Sequence, residues 1–158
     1  MKDSRKEQKT AERANVERRV KFAADQMAYE RKMHRDKAEE LLRAYRRGHE
    51  SFAIAALIKK NLTLANASPG DIGISQEELD DLELQLIEDA SQHIERLRLD
   101  PIPERLAVLR REMKEAGYSP ELLGTTLEEL DGLQAKAQNK EARQEIPGHN
   151  PPFENRFR

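Results

Sequence analysis

Every periodic segment of this chain repeats its apolar residues at steps of three and four rather than two, which predicts helices and no strands. No Gly or Pro occurs before Gly48, and residues from about Asp3 to Arg47, rich in Ala, Glu, Lys and Arg, read as one long helix. Its apolar stripe is thin. On a heptad frame Val20, Met27, His34 and Leu41 share one seam position, and Val16, Ala23, Glu30, Lys37 and Ala44 share the other. The polar middle of that seam argues against a clean coiled coil. Phe22, Tyr29 and Met33 lie on a neighbouring stripe, and the first turns, with almost no apolar anchor, are expected to fray.

Gly48 stands where a helix C-cap would, after Arg43, Arg46 and Arg47, whose charge suits the negative end of the helix dipole. The most apolar segment follows, from Ser51 to Ala67, and predicts a buried central helix with Ser51 placed to cap it. Residues 66–73, with Pro69, Gly70 and Gly73, read as a loop. Ser75 and Glu78 form a capping box that opens an amphipathic helix through Leu79, Leu82, Leu86, Ala90, Ile94 and Leu97, stopped by Pro101 and Pro103. A further helix spans about Pro103 to Ala116, with Leu106, Leu109 and Met113 on one face. Ser119-Pro120 starts a short turn closed by Gly124, and a second capping box, Thr126 and Glu129, opens a last helix with Leu127, Leu130 and Leu133 inward. The expected core joins Phe52, Ile54, Ile58 and Leu62 to Leu79, Leu82, Leu86, Ile94 and Leu97, with Leu106, Leu109 and Met113 completing it.

The phrases Gly73–Leu79 and Gly117–Leu123 look alike. They read as the same helix-start chemistry used twice, not as a duplication, because the first half of the chain shows no matching period. The fold class is therefore all-α: a long N-terminal helix plus a small helical bundle, with an extended Pro-rich C-terminal tail. The expected divisions are a charged helical arm (1–48), a helical core domain (49–145) and a tail (146–158) in which Pro151-Pro152 favours polyproline II.

Composition sharpens this. The chain is 37% charged and 37% hydrophobic, an apolar content low for one compact core and suited to long solvated helices or to a core completed by a partner. Cysteine is absent, which excludes disulfides and thiolate metal sites. The charged start lacks a signal peptide's apolar region, and the longest apolar stretch, Phe52 to Ile58, is far short of a membrane span. A cytoplasmic location without membrane contact is the expectation. Residues 1–50 carry 15 Lys and Arg against 10 Asp and Glu, whereas residues 51–100 carry 4 against 10. A basic arm thus precedes an acidic middle.

No phosphate loop, nucleophile elbow or zinc motif is present, so the reading is a non-enzyme without cofactor or metal. Two histidines follow a carboxylate by one turn, Glu30/His34 and Asp89/His93. Face to face they could build a mixed metal site, but bundle sites use a Glu-x-x-His spacing that neither pair has. Two surfaces stand out. The basic set Arg43, Arg46, Arg47, Lys59 and Lys60 could meet phosphates, although acidic residues dilute the arm. The tail holds Phe153 and Phe157 beside Arg156 and Arg158, a pattern suited to a docking peptide. These residues point to a non-catalytic helical assembly or adaptor protein, with a protein partner or a homo-oligomer. The alternative is a nucleic-acid-associated regulatory protein that uses the basic arm.

Overall fold

The structure is a computed structural model that describes residues 2–145. Five helices follow one another: α1 (Lys2–Arg46), α2 (Ile54–Ala65), α3 (Gln76–Leu99), α4 (Pro103–Ala116) and α5 (Leu127–Glu145). One-turn 3-10 segments, Pro69–Ile72 and Pro120–Leu123, precede α3 and α5. The all-α class and the long first helix are as the periodicity predicts. The tail residues Phe153, Arg156, Phe157 and Arg158 lie outside the described residues. α1 is helical from Lys2, in keeping with a sequence of strong helix formers that holds no Gly or Pro. The buried helix begins at Ile54 rather than Ser51, and Ser51 instead accepts a bond from the Ala53 amide at 3.2 Å.

The bundle is built from one unit used twice, which corrects the reading of a shared helix start without duplication. α2, its turn and the start of α3 recur as α4, its turn and the start of α5, at a constant spacing of 51 residues (Lys59 to Arg110, Asp80 to Asp131). Each first helix ends on a left-handed residue, Asn66 (φ 51°) or Gly117 (φ 73°). The next amide then closes back on the helix, Ala67 on the Leu62 carbonyl and Tyr118 on that of Met113, both at 2.9 Å. Each turn opens with Ser-Pro and closes on a left-handed glycine, Gly73 or Gly124. Each second helix has a hydroxyl N-cap: Ser75 Oγ accepts from the Glu78 amide at 3.0 Å and Thr126 Oγ1 from the Glu129 amide at 3.1 Å. Lys59 pairs with Asp80 at 2.6 Å, and Arg110 with Asp131 at 2.7 Å. The true counterpart of Gly73–Leu79 is Gly124–Leu130, so the phrases compared in the sequence were out of register.

The core is correspondingly double, not the single cluster expected. Ala38, Leu42, Ile54, Ala55, Ile58, Leu62, Ile72, Ile74 and Leu79 form one buried cluster, flanked by half-buried Leu82 and Leu86. Ala90, Ile94, Leu97, Leu106, Leu109, Met113, Leu123, Leu130, Leu133 and Ala137 form the other, with Phe52 packed against it. Helix length forces the split: Leu79 and Leu97 stand about 27 Å apart along α3 at 1.5 Å per residue, further than the roughly 18 Å length of α2. α3 therefore belongs to both units. Its first half closes the first cluster and its second half opens the second.

Candidate interaction surface

Beyond the bundle no described residue covers α1. From Lys2 to Met33 only Ala14 is even partly shielded, whereas Ala38 and Leu42 are buried against α2. The last cover is at His34, whose Nδ1 lies 3.1 Å from Asn61 Oδ1 on α2. The arm keeps its apolar residues all the same: Val16, Val20 and Met27 are 58%, 63% and 54% exposed, and Phe22, Tyr29 and Met33 are exposed as well. An α-helix turns by about 100° per residue, which puts Val16, Val20, Ala23 and Met27 in the same sector of about 60° as Ala38, Leu41 and Tyr45. The stripe that packs on α2 thus continues along the arm. Phe22, Tyr29 and Met33 form a second exposed stripe, centred about 130° round the helix from the first.

The repeat gives this exposure a meaning. Arg46 Nη2 donates to the Gly73 carbonyl at 3.0 Å and Arg98 Nη2 to that of Gly124 at 2.8 Å, so Arg46 and Arg98 are equivalent, 52 residues apart. The same spacing matches buried Ala38 with Ala90 and Leu42 with Ile94, and it sets Met27 against Leu79. Leu79, and Leu130 after it, are sealed within the core at the start of a helix that follows a 3-10 turn. Met27 occupies that position in a helix with no such turn before it, and it is bare.

The basic set is partly committed to the fold. Lys59 bridges Asp80 and Glu83 (2.6 and 3.5 Å), and these partners hold its ammonium above the usual lysine range although burial works against it. Arg46 holds the Gly73 carbonyl, and Arg43 sits 3.7 Å from Glu39. Arg47 and Lys60 are exposed. The two histidine–carboxylate pairs do not face each other. His34 meets Asn61, while the His93 ring packs tilted against Phe52 with ring centroids 5.7 Å apart and 41° between the planes. Among the described residues no group of three or more His, Asp and Glu side chains converges to hold a metal ion.

Compared with known proteins, the chain matches no family model, no curated protein and no solved structure.

A groove of about 1050 Å³ lies where the two units meet, lined by Tyr45, His49, Phe52, Asp89, His93 and Arg105 among others. Its polar groups serve the junction. Glu112, buried on α4, accepts the Phe52 amide at 3.1 Å just ahead of α2 and so places a negative charge at that helix's positive end. Burial, with Arg105 and Arg96 nearby, pushes the His93 imidazole below its usual pKa and favours the neutral ring. Asn61 and Glu112 stand at equivalent positions 51 residues apart, but they make different ties: Asn61 joins α2 to α1 through His34, and Glu112 joins α4 to the start of the first unit at Phe52. Sequence reading overlooked both. Their signal was a single polar residue inside an otherwise apolar helix face. No helix among the described residues is long and apolar enough to cross a membrane.

Proposed function

We propose that this protein is a non-catalytic helical assembly or adaptor protein that works through protein–protein contacts made by its arm. The observation that carries the reading is the stripe Val16, Val20, Ala23 and Met27. It lies in the same sector as buried Ala38 and half-buried Leu41, yet no described residue covers it. An aqueous helix keeps such residues in line at a cost in solubility unless a partner buries them. The tail residues Phe153, Arg156, Phe157 and Arg158 remain a proposed second docking element on the sequence pattern alone.

The test is the double change Val20→Glu and Met27→Glu, with helical circular dichroism as the folding check. The molar mass in solution, alone and in the native complex, is expected to fall. An unchanged mass in both settings would reject the reading. The alternative, a nucleic-acid-associated regulator, rests on exposed Arg47 and Lys60 with the arm's cations. It predicts salt-dependent retention on DNA or RNA that charge reversal at those two positions abolishes.

A further inference from the structure

The exposed stripe has an internal symmetry. Along the arm the seam positions are Arg13, Val16, Val20, Ala23, Met27 and Glu30, separated by three, four, three, four and three residues. Read backwards the spacing is the same, so the line can be laid on a reversed copy of itself. All six residues are exposed. The stretch ends at Glu30, one turn short of His34, where α2 takes over the same seam.

We propose that the arms of two copies of this chain pair antiparallel along this seam, about a two-fold axis between Lys21 and Phe22. This rests on the reading of the arm as a docking element and names what docks. In the pair Val16 meets the partner's Met27, and Val20 meets the partner's Ala23. Arg13 meets the partner's Glu30. Four apolar layers are thus closed at each end by an opposite-charge pair, over about 27 Å of helix.

Charge selects both the occupant and the direction. A parallel pair in register would set Arg13 on the partner's Arg13 and Glu30 on the partner's Glu30, like charges inside the seam. The antiparallel pair turns both into attractions. It also keeps like charges off the flanks, where Arg19 falls beside the partner's Gln26 and Glu17 beside the partner's Ala24. The polar residues that interrupt an extended heptad pattern at Glu30 and His34 therefore mark where the seam stops. A two-fold pair of this kind is isologous, the commonest arrangement of soluble oligomers. Phe22 and Tyr29 lie outside this seam and its flanks and take no part.

The experiment is sedimentation equilibrium on the full chain and its variants. The parent is expected at twice the 18.2 kDa chain mass. Arg13→Glu alone, or Glu30→Arg alone, sets like charges in two layers, and the dissociation constant is expected to rise about tenfold or more. Combining Arg13→Glu with Glu30→Arg restores the attraction and is expected to return the parent constant. The control Phe22→Ser with Tyr29→Ser leaves the dimer intact. A monomeric parent overturns the proposal. So does a dimer indifferent to either single reversal, or a double reversal that fails to rescue. None of these results touches the wider docking reading, which stands or falls on whether Val20→Glu with Met27→Glu alters the native complex.

Discussion

Arg98 Nη2 donates to the Gly124 carbonyl oxygen at 2.8 Å, tying the last turn of α3 to the residue that closes the second 3-10 turn. The same guanidinium binds Glu129 at 2.7 Å and Glu95 at 2.7 Å, while its counterpart Arg46 has the glycine carbonyl and, among the described residues, no such carboxylate pair. Arg98→Ala is therefore expected to cost about 1–2 kcal/mol, since several charge-assisted bonds converge on a partly shielded group. Arg46→Ala is expected to cost less than about 1 kcal/mol. Urea unfolding of both variants checks the order, and equal costs would mean that the carboxylates contribute nothing.

Leu79 and Leu130 are equivalent and buried in separate clusters. Each Leu→Ala change is expected to cost about 2–5 kcal/mol, the usual range for a core leucine. Leu86 is only half-buried beside the first cluster, so Leu86→Ala is expected to cost about 1–2 kcal/mol, less than a single merged core would imply. Chemical denaturation of the three variants measures this ranking.

The Tyr118 hydroxyl is buried without a hydrogen-bond partner among the described residues, and burial with the Glu83 charge pushes its pKa up to about 12. An unpaired buried polar group costs about 1–3 kcal/mol. Tyr118→Phe removes that group and keeps the ring against the second cluster. The variant is expected to match or exceed the parent's melting temperature, and a clear fall would reveal a partner for the hydroxyl.

Acid acts in two windows. Because the folded protein holds His93 below its usual value near 6.5, the unfolded chain binds the proton first. The stability that His93 contributes is then complete above that value and is lost as pH falls through the lower folded one. Melting temperature is expected to decline from about pH 7 to 5, and His93→Gln is expected to flatten that decline. Asp80 and Glu129 are held low by hydrogen bonds from Lys59 and Arg98, respectively. Their share is present above the usual carboxylate range and disappears only in stronger acid. A flat profile between pH 7 and 5 in the parent would contradict the neutral His93.

Helix positions were legible because capping boxes and Pro-Gly punctuation act locally: Ser75 with Glu78, Pro103, and Thr126 with Glu129 all fall where the structure starts a helix. The repeat was legible but was compared at the wrong offset: Ser68-Pro69, Gly73 and Glu77-Glu78-Leu79-Asp80 recur letter for letter 51 residues on as Ser119-Pro120, Gly124 and Glu128-Glu129-Leu130-Asp131. Around them the equivalences are physical rather than literal, Lys59 for Arg110, Ser75 for Thr126 and Asn66 for Gly117, and the spacing slips from 52 to 51 residues across the connection after the shared helix. The division of the core was hidden, since periodicity tells which side of α3 is apolar but not which neighbour each stretch meets. For the arm, the seam residues were visible in the sequence, while the fact that α2 covers the seam only from His34 onward needed coordinates.

Sharing α3 between two units fixes an order of events as the chain is made. The first cluster can close once residues up to about Leu86 have left the ribosome, because all its members lie before that point. As Ala90, Ile94 and Leu97 leave the ribosome, the residues that shield them, from Leu106 to Ala137, are still to emerge. Until α5 emerges, the half-made protein carries a sticky strip on an otherwise finished helix, so a nascent chain arrested with its emerged part ending between Asp100 and Thr126 would display a folded first unit with a ready target for chaperones.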